Sequence, residues 1–155
     1  MTEREFTAAA ERHLDTVYRV ALNCLRNPAD AEEAAQTVLL RLWQSGQVFP
    51  DDDQLRYWLV RVTLNVCKDT ARSPWRRRMV PLEHCREPAF DTPEHQTLYA
   101  EVMSLQAKYR LPLYLYYYEC YAVAEVGELL GLRPSTVQTR LARAREKLKA
   151  QLKEE

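Results

Sequence analysis

The last part of this 155-residue chain carries side chains suited to contacts with nucleic acid, on a segment whose apolar residues recur at helical spacing. Hydroxyl, amide and guanidinium groups are the side-chain types that contact base edges and phosphates in a DNA groove. The chain has no net charge, yet positions 133 to 153 hold seven cations and one acid. The candidate contacts are Ser135, Thr136, Gln138, Thr139, Arg143 and Arg145.

The segment from Ala122 to Leu148 predicts two helices joined by a tight turn, because Gly131 follows the first apolar run and Pro134 begins the second. Gly127, within the first helix, costs about 1 kcal/mol relative to Ala. It therefore suggests that the second helix passes too close for a larger side chain. This is the pattern of a helix-turn-helix, whose second helix enters the DNA major groove. An ordinary helical hairpin with a solvated basic face is the alternative.

A second candidate surface lies on a predicted helix from about Gln54 to Arg72. Trp58, Arg61, Asn65 and Lys68 recur there at three- and four-residue spacing. Interleaved aromatic and cationic groups suit single-stranded nucleic acid, because bases stack on rings while cations follow the backbone. The alternative is that Trp58 is a core residue with solvated neighbours.

A third candidate is the acidic start of a predicted helix from Asp30 to about Gln44. Asp30 is the expected N-cap, and Glu32 and Glu33 fall in the first turn, where the helix dipole favours acids. Simple capping and a partner-binding surface both fit this pattern.

Several classes of chemistry are not supported by the sequence. It contains no Gly-rich phosphate loop and no nucleophile–base set, so we expect no enzyme activity, cofactor or small-molecule substrate. His84, Cys85 and His95 match no zinc spacing, so no metal site is expected. Cys24, Cys67 and Cys120 are interpreted as small apolar groups. Without an apolar run of about 18 residues or a signal peptide, a soluble cytoplasmic location is expected.

The elements that would position these residues are all helical, since the chain has only three Gly and abundant helix formers. We predict two small helical domains, 1–73 and 94–155, joined by a flexible linker, 74–93, that begins SPWRRRMVP. Beyond the linker, Pro93 opens one helix, a second opens near Pro112, and the tyrosines around it are expected to build a small core. The first helix, 3 to about 26, has an apolar stripe of Phe6, Leu14, Val17, Tyr18, Ala21, Leu22 and Leu25. The second contributes Ala34, Ala35, Val38, Leu39, Leu42 and Trp43.

Three segments together resemble an RNA polymerase sigma factor of the extracytoplasmic function type. DAEEAAQTVLLRLW resembles the family's DAED-x-x-QE-x-[FL]-x-[RK]-x-W segment, which binds the clamp of the polymerase's largest subunit. WLVRVTLNVCKDTAR resembles WLxxIAxNxxxDxxR, the helix that meets the promoter minus-ten element. The segment from Leu105 to Leu148 resembles the domain that reads the minus-thirty-five element.

The resemblance implies a role for each set of residues. Asp30, Glu32, Glu33, Gln36 and Arg41 match the polymerase-binding surface. Trp58, Arg61, Asn65 and Lys68 match the minus-ten surface, beside a loop from Phe49 to Leu55 that pockets a flipped base. Gln138, Thr139, Arg143 and Arg145 match the minus-thirty-five contacts. Thr37 replaces a usual Glu, and the acids Asp51 to Asp53 lie near the expected DNA strand.

The function implied is promoter recognition and melting on behalf of RNA polymerase core, engaged through its clamp and through the flap of its second-largest subunit. The resemblance also implies an anti-sigma protein, which in this family is often membrane-bound. A stand-alone helix-turn-helix regulator of duplex DNA is the alternative, and a protein-interaction module is a third interpretation.

Overall fold

The computed structural model describes residues 1–71 and 93–153, with side chains for 1–70 and 98–153. In these ranges the chain forms seven helices and no strand, which confirms the predicted all-α class. Contacts divide it into two compact units, Met1–Glu87 and Pro88–Glu155. No helix in the described ranges is both long enough and apolar enough to cross a membrane. Arg72, the linker from 74, Thr92 and the side chains of His84, Cys85 and His95 lie outside the described residues.

The first unit contains α1 (Glu3–Leu25), α2 (Pro28–Ser45) and α3 (Asp52–Ala71), and each of these helices packs against the other two. Helix α1 begins in a capping box, in which Thr2 Oγ1 accepts from the Glu5 amide and Glu5 Oε2 accepts from the Thr2 amide. It ends where Arg26 adopts a left-handed conformation, with φ of 54°. The fully buried side chains that hold the unit together include Val17, Val20, Leu22, Val38, Leu42, Leu59 and Val60.

Two expectations for the first unit are wrong. Asn27, and not Asp30, caps α2: its Oδ1 accepts from the Asp30 amide at 3.1 Å, and Pro28 takes the first helical position, where its missing amide costs nothing. Leu14 and Trp43 fit the apolar stripes of their helices but stay 42% and 44% exposed. They lie at the edges of these stripes, where the neighbouring helices cover them only in part. Trp43 instead packs edge-on against Phe6, with ring centroids 5.3 Å apart.

Helix α3 is tied to α1 by a polar contact at its first turn. Asp51 Oδ1 accepts from the Gln54 amide at 2.8 Å and caps the helix. Asp52 Oδ1 lies 2.9 Å from Nε2 of the buried His13 and 3.1 Å from the Arg12 guanidinium. The hydrogen bond to His13 is the main reason that the pKa of Asp52 is lowered, with smaller contributions from both charges. Two of the three adjacent acids therefore have structural partners.

The second unit contains α4 (Pro93–Ser104), α5 (Ala107–Tyr117), α6 (Val123–Leu130) and α7 (Pro134–Lys153). Helix α7 contacts the other three helices, and its buried face supplies Val137, Leu141, Ala144 and Leu148. The expectation that α5 opens near Pro112 is wrong, because the helix begins at Ala107 and contains Pro112. Proline removes one intrahelical hydrogen bond there. Burial of Leu113, Tyr114 and Leu115 offsets that loss.

The tyrosines of the second unit only partly form a core. Tyr109, Tyr114 and Tyr121 are buried, whereas Tyr117 and Tyr118 are 49% and 38% exposed. The Tyr114 hydroxyl donates to the buried carboxylate of Glu119 at 2.7 Å. Tyr117 and Tyr118 therefore lie at the surface of the unit and not in its core.

Candidate nucleic-acid and partner-binding surfaces

The segment from Val123 to Lys153 forms the predicted helix-turn-helix. Helix α6 ends at Gly131, whose φ of 69° is the left-handed conformation that glycine adopts without strain. A Cβ on Gly127 would lie 2.6 Å from the backbone oxygen of Leu132. The same Cβ would lie 3.6 Å from the side chain of Val137 on the second helix, which is an ordinary van der Waals distance. The close approach is therefore made by the turn, and not by the second helix as expected.

Helix α7 presents its polar residues on the side opposite its buried stripe. Ser135, Gln138, Thr139, Arg143 and Arg145 are exposed, and Thr136 is half-buried. At about 100° per residue, Ser135 and Thr139 face directly away from the core, while Arg143 and Arg145 lie on opposite flanks. The Thr139 hydroxyl donates to the Ser135 carbonyl at 3.0 Å, so it presents its methyl group outward. The six residues thus share one broad face, bounded by Arg145 on one side and by Thr136 on the other.

Arg145 binds one tyrosine of α5, and Arg143 affects the pKa of another. The Tyr117 hydroxyl accepts a hydrogen bond from Arg145 Nη1 at 2.9 Å. Burial raises the pKa of Tyr109, but hydrogen bonds from Lys108 and Arg143 outweigh it, and the pKa is lowered. The sequence pattern contained no signal for these pairs, because their partners are separated by almost thirty residues or more.

The mixed face of α3 is a continuous exposed surface. Trp58, Arg61, Asn65 and Lys68 fall within about 80° of the helix circumference, opposite the buried Leu59, Thr63 and Cys67. Arg61, Asn65 and Lys68 are exposed, and Trp58 is half-buried. The Trp58 ring packs edge-on against Phe49 of the preceding loop, with centroids 5.7 Å apart. The four predicted residues therefore come together, and Trp58 is neither a core residue nor fully free.

Helix α2 brings only some of its predicted residues together. Glu32, Glu33 and Gln36 are exposed on its outer face. Asp30 and Arg41 lie about 120–140° around the helix from Gln36, on a separate flank. Leu40, 54% exposed, and Trp43 share the outer face with Gln36. Thr37 donates its hydroxyl to the Glu33 carbonyl at 3.1 Å. Sequence reasoning missed Leu40 and assigned Trp43 to the core, because a helical period alone does not say how wide the covered stripe is.

The described residues offer little to a metal or a reactive thiol. Within 1–70 and 98–153, no three His, Cys, Asp or Glu side chains are grouped to hold a metal. Cys67 is buried, and its hydrogen bond with Cys24, together with desolvation, raises its pKa strongly. Such a thiol is inert at neutral pH. Cys120, expected on an apolar face, is exposed between α5 and α6.

Both units of the chain match families of known proteins. Residues 9–77 match the model of sigma-70 region 2, and residues 95–148 match that of sigma-70 region 4. The chain is 32% identical over 149 residues to the ECF RNA polymerase sigma factor SigE of Mycolicibacterium smegmatis, covering 89% of this chain and 58% of that protein. It is 30% identical over 156 residues to SigL of Mycobacterium tuberculosis, covering 95% of this chain and 88% of SigL.

Solved structures share the fold. One is the sigma factor RpoE of Bartonella quintana in complex with the anti-sigma factor NepR, with a TM-score of 0.75, 19% identity, and coverage of 97% of this chain and 98% of that one. Another is CnrH in complex with the cytosolic domain of CnrY, with a TM-score of 0.66, 23% identity, and coverage of 99% and 91%. The resemblance read from the sequence is confirmed: the chain belongs to the ECF RNA polymerase sigma factors of the sigma-70 family, which are DNA-binding initiation factors and not enzymes.

Proposed function

We propose that this chain directs RNA polymerase core to specific promoters, and that it does so through the three surfaces described above. The observation that carries the proposal is that the polar faces of α2, α3 and α7 all lie opposite the buried faces of the same helices. Each surface is thus displayed by a helix whose orientation the core of its own unit fixes. In this proposal residues 1–73 act as region 2, residues 74–93 as the linker and residues 94–155 as region 4.

The outer face of α2 is the proposed docking site for the clamp of the largest polymerase subunit. Leu40 and Trp43 provide an exposed apolar centre, and Glu32, Glu33 and Gln36 provide a polar rim. An apolar centre with a polar rim is the usual anatomy of a protein interface. Asp30 and Arg41, on the other flank, would contact the polymerase only at the margin. Thr37 would make no direct contact through its hydroxyl proton, which the helix itself uses.

The outer face of α3 is the proposed site for the unpaired minus-ten strand. Asn65 supplies an amide that can pair with a base edge, and Arg61 and Lys68 supply charges for the backbone. The Phe49–Trp58 contact would form one wall of a pocket for an extruded base, whose capture offsets part of the cost of opening the duplex. Asp51 caps α3, and Asp52 forms an ion pair with a side chain of α1. Of the three adjacent acids, Asp53 is therefore the one without a described partner near this wall.

The exposed face of α7 is the proposed reader of the minus-thirty-five element in the major groove. Gln138 can form a bidentate pair with adenine, and the outward methyl of Thr139 can contact a thymine methyl. The second unit would also contact the flap of the second-largest polymerase subunit. Because the two DNA contacts are joined through the polymerase, each one can be weak alone.

An anti-sigma protein is the proposed regulator. The two sigma factors of similar fold were each solved with an anti-sigma partner, NepR or the cytosolic domain of CnrY. A partner that covers Leu40 and Trp43 would block polymerase docking directly. Action on promoter DNA also implies a cytoplasmic location.

A run-off transcription assay tests the proposal. Core polymerase is reconstituted with the chain, bound promoters are selected from a random DNA library, and transcripts from the selected templates are measured. We expect promoter-dependent transcripts only when the chain is present. Absence of transcripts, together with tight binding of the isolated chain to a duplex, would favour the stand-alone regulator instead.

Variants on α2 connect the assay to the proposed docking face. Leu40→Glu places a charge at its apolar centre and should abolish both core binding and transcripts. Asp15→Ala, at an exposed position of α1, is the matched control and should leave both unchanged. Equal core binding by the two variants would exclude this face.

A further inference from the structure

Tyr109 of α5 is surrounded by cations. Its ring is 7% exposed, and Nζ of Lys108 and of Lys147 lie 5.0 and 5.2 Å from the ring centroid. Both distances are within the range of a cation–π contact. The charges of Lys108 and Lys147, together with the Arg143 guanidinium, also lower the pKa of the Tyr109 hydroxyl. Three exposed cations, two from α7 and one from α5, therefore meet at one buried phenol.

None of these cations is paired with an acid in the part of the chain that the structure describes. Arg12 and His13, in the other unit, are by contrast paired with Asp52. Like charges held close together are unfavourable unless an anion approaches them. Since the cluster is at the surface and has no internal carboxylate, its natural complement is an external anion.

The start of α5 adds to this positive potential. Gln106, its N-cap, makes no side-chain hydrogen bond to the first turn, and that turn contains no acid. The first amides of a helix have no partner within the helix and carry the positive end of its dipole. Lys108, the second residue of α5, therefore occupies a position where a cation is unfavourable. A bound oxyanion would satisfy the free amides and offset the repulsion at the same time.

We propose that Lys108, Tyr109, Arg143 and Lys147 form a site for a backbone phosphate of duplex DNA, at the edge of the face that reads the bases. The site rests on the proposed DNA-binding role of the second unit. The phenol hydroxyl can donate its proton to a phosphate oxygen, and the cations beside it can pair with the phosphate charge. Arg143 connects the cluster to Thr139, one turn earlier on α7. Duplex DNA that contacts the exposed face of α7 therefore brings its backbone to this flank.

The site changes the role of Arg143. Because its guanidinium acts on Tyr109, Arg143 would contact the phosphate backbone in this site instead of pairing with a base through two hydrogen bonds. The same geometry makes Lys108 a DNA contact from outside the helix-turn-helix. Promoter duplex would then be held by α5 as well as by α7.

The test uses the full chain and a duplex of random sequence, because phosphate contacts do not depend on sequence. Binding is followed by fluorescence anisotropy from about 20 to 200 mM salt. Lys108→Gln and Lys147→Gln should each lower the slope of log affinity against log salt by about one. Tyr109→Phe keeps the ring and the charges, so it should retain the slope while weakening binding about threefold through loss of one hydrogen bond. Lys153→Gln, in the last turn of α7, is the charge-matched control.

The outcomes separate the site from the general function. If wild-type chain binds duplex but Lys108→Gln and Lys147→Gln behave like Lys153→Gln, the phosphate site is wrong and DNA binding by the second unit stands. If those variants bind DNA normally but bind polymerase core less tightly, the cluster belongs to a protein interface. If wild-type chain binds no duplex at low salt, both ideas fail. Circular dichroism melting checks that each variant is folded.

Discussion

Thr139 turns its methyl group outward on α7 because its hydroxyl donates to the Ser135 carbonyl. Thr139→Val keeps that methyl group and should leave promoter affinity within about twofold. Gln138→Ala removes an exposed amide and should weaken binding to a selected minus-thirty-five sequence by about 1–3 kcal/mol. Holoenzyme binding to selected and scrambled duplexes measures both effects. A loss for Thr139→Val as large as that for Gln138→Ala would mean that the hydroxyl contacts a base.

Asn65 is exposed on the outer face of α3, so its removal should not disturb the core of its unit. We expect Asn65→Ala to impair promoter opening while duplex binding is retained, because only the unpaired strand presents its base edges to this amide. Permanganate reactivity of minus-ten thymines measures the opening. Asp15→Ala, at an exposed position of α1 outside the predicted minus-ten set, is the control. Unchanged footprints for Asn65→Ala would contradict its proposed role.

At the scale of elements, the contact between α1 and α3 depends on pH. The pKa of Asp52 is below its usual 3.8 in the folded chain, since the ionised form binds His13 and Arg12. Its contribution to stability is complete above that usual value and is lost as the pH falls through the lower folded value. The Asp52 side chain is 53% exposed, so the contribution is less than about 1 kcal/mol.

Urea unfolding at pH 7 and near pH 3 tests this contact. Asp52→Asn should lower the midpoint at pH 7 and should lose most of its effect at the lower pH. Asp53→Asn, exposed in the same first turn, is the matched control and should change the midpoint little at either pH. An equal effect of the two substitutions at pH 7 would argue that only the helix dipole matters.

The turn between α6 and α7 depends on Gly127. In an isolated helix Gly127→Ala would be favourable by about 1 kcal/mol. Here the added Cβ would lie 2.6 Å from the Leu132 carbonyl oxygen, a backbone atom whose movement shifts the start of α7. We expect a net destabilisation of about 1–2 kcal/mol and weaker DNA binding. Thermal unfolding measures the first effect, with exposed Glu128→Ala as control, and a higher melting temperature for Gly127→Ala would contradict the prediction.

At the scale of the whole molecule, the charge distribution sets how the chain can bind DNA. Its net charge is zero, and the positive charge is concentrated in local surfaces. A protein with few phosphate contacts has modest affinity for DNA at physiological salt. Tethering two such contacts through the polymerase should raise promoter affinity at least about 100-fold over the isolated chain. Anisotropy with and without core measures this ratio, and equal affinities would contradict the two-contact mechanism.

The sequence by itself determined the helical class, the helix-turn-helix and the family, because helical periods, caps and family motifs are local patterns. It also placed Trp58, Arg61, Asn65 and Lys68 on one face, since residues three and four apart are neighbours on any helix. The sequence could not predict that Leu40 and Trp43 are exposed, because the crossing of α1 and α2 determines how much of an apolar stripe is covered.

Contacts between distant segments were decided by the tertiary structure alone. Gly127 meets the Leu132 carbonyl because the chain turns back at Gly131. Asp52 meets His13, and Tyr109 meets Arg143 and Lys147, because packing brings together residues more than thirty positions apart. These pairings depend on which helix faces pack against one another. Packing is a property of the whole core, so a local sequence pattern does not predict it.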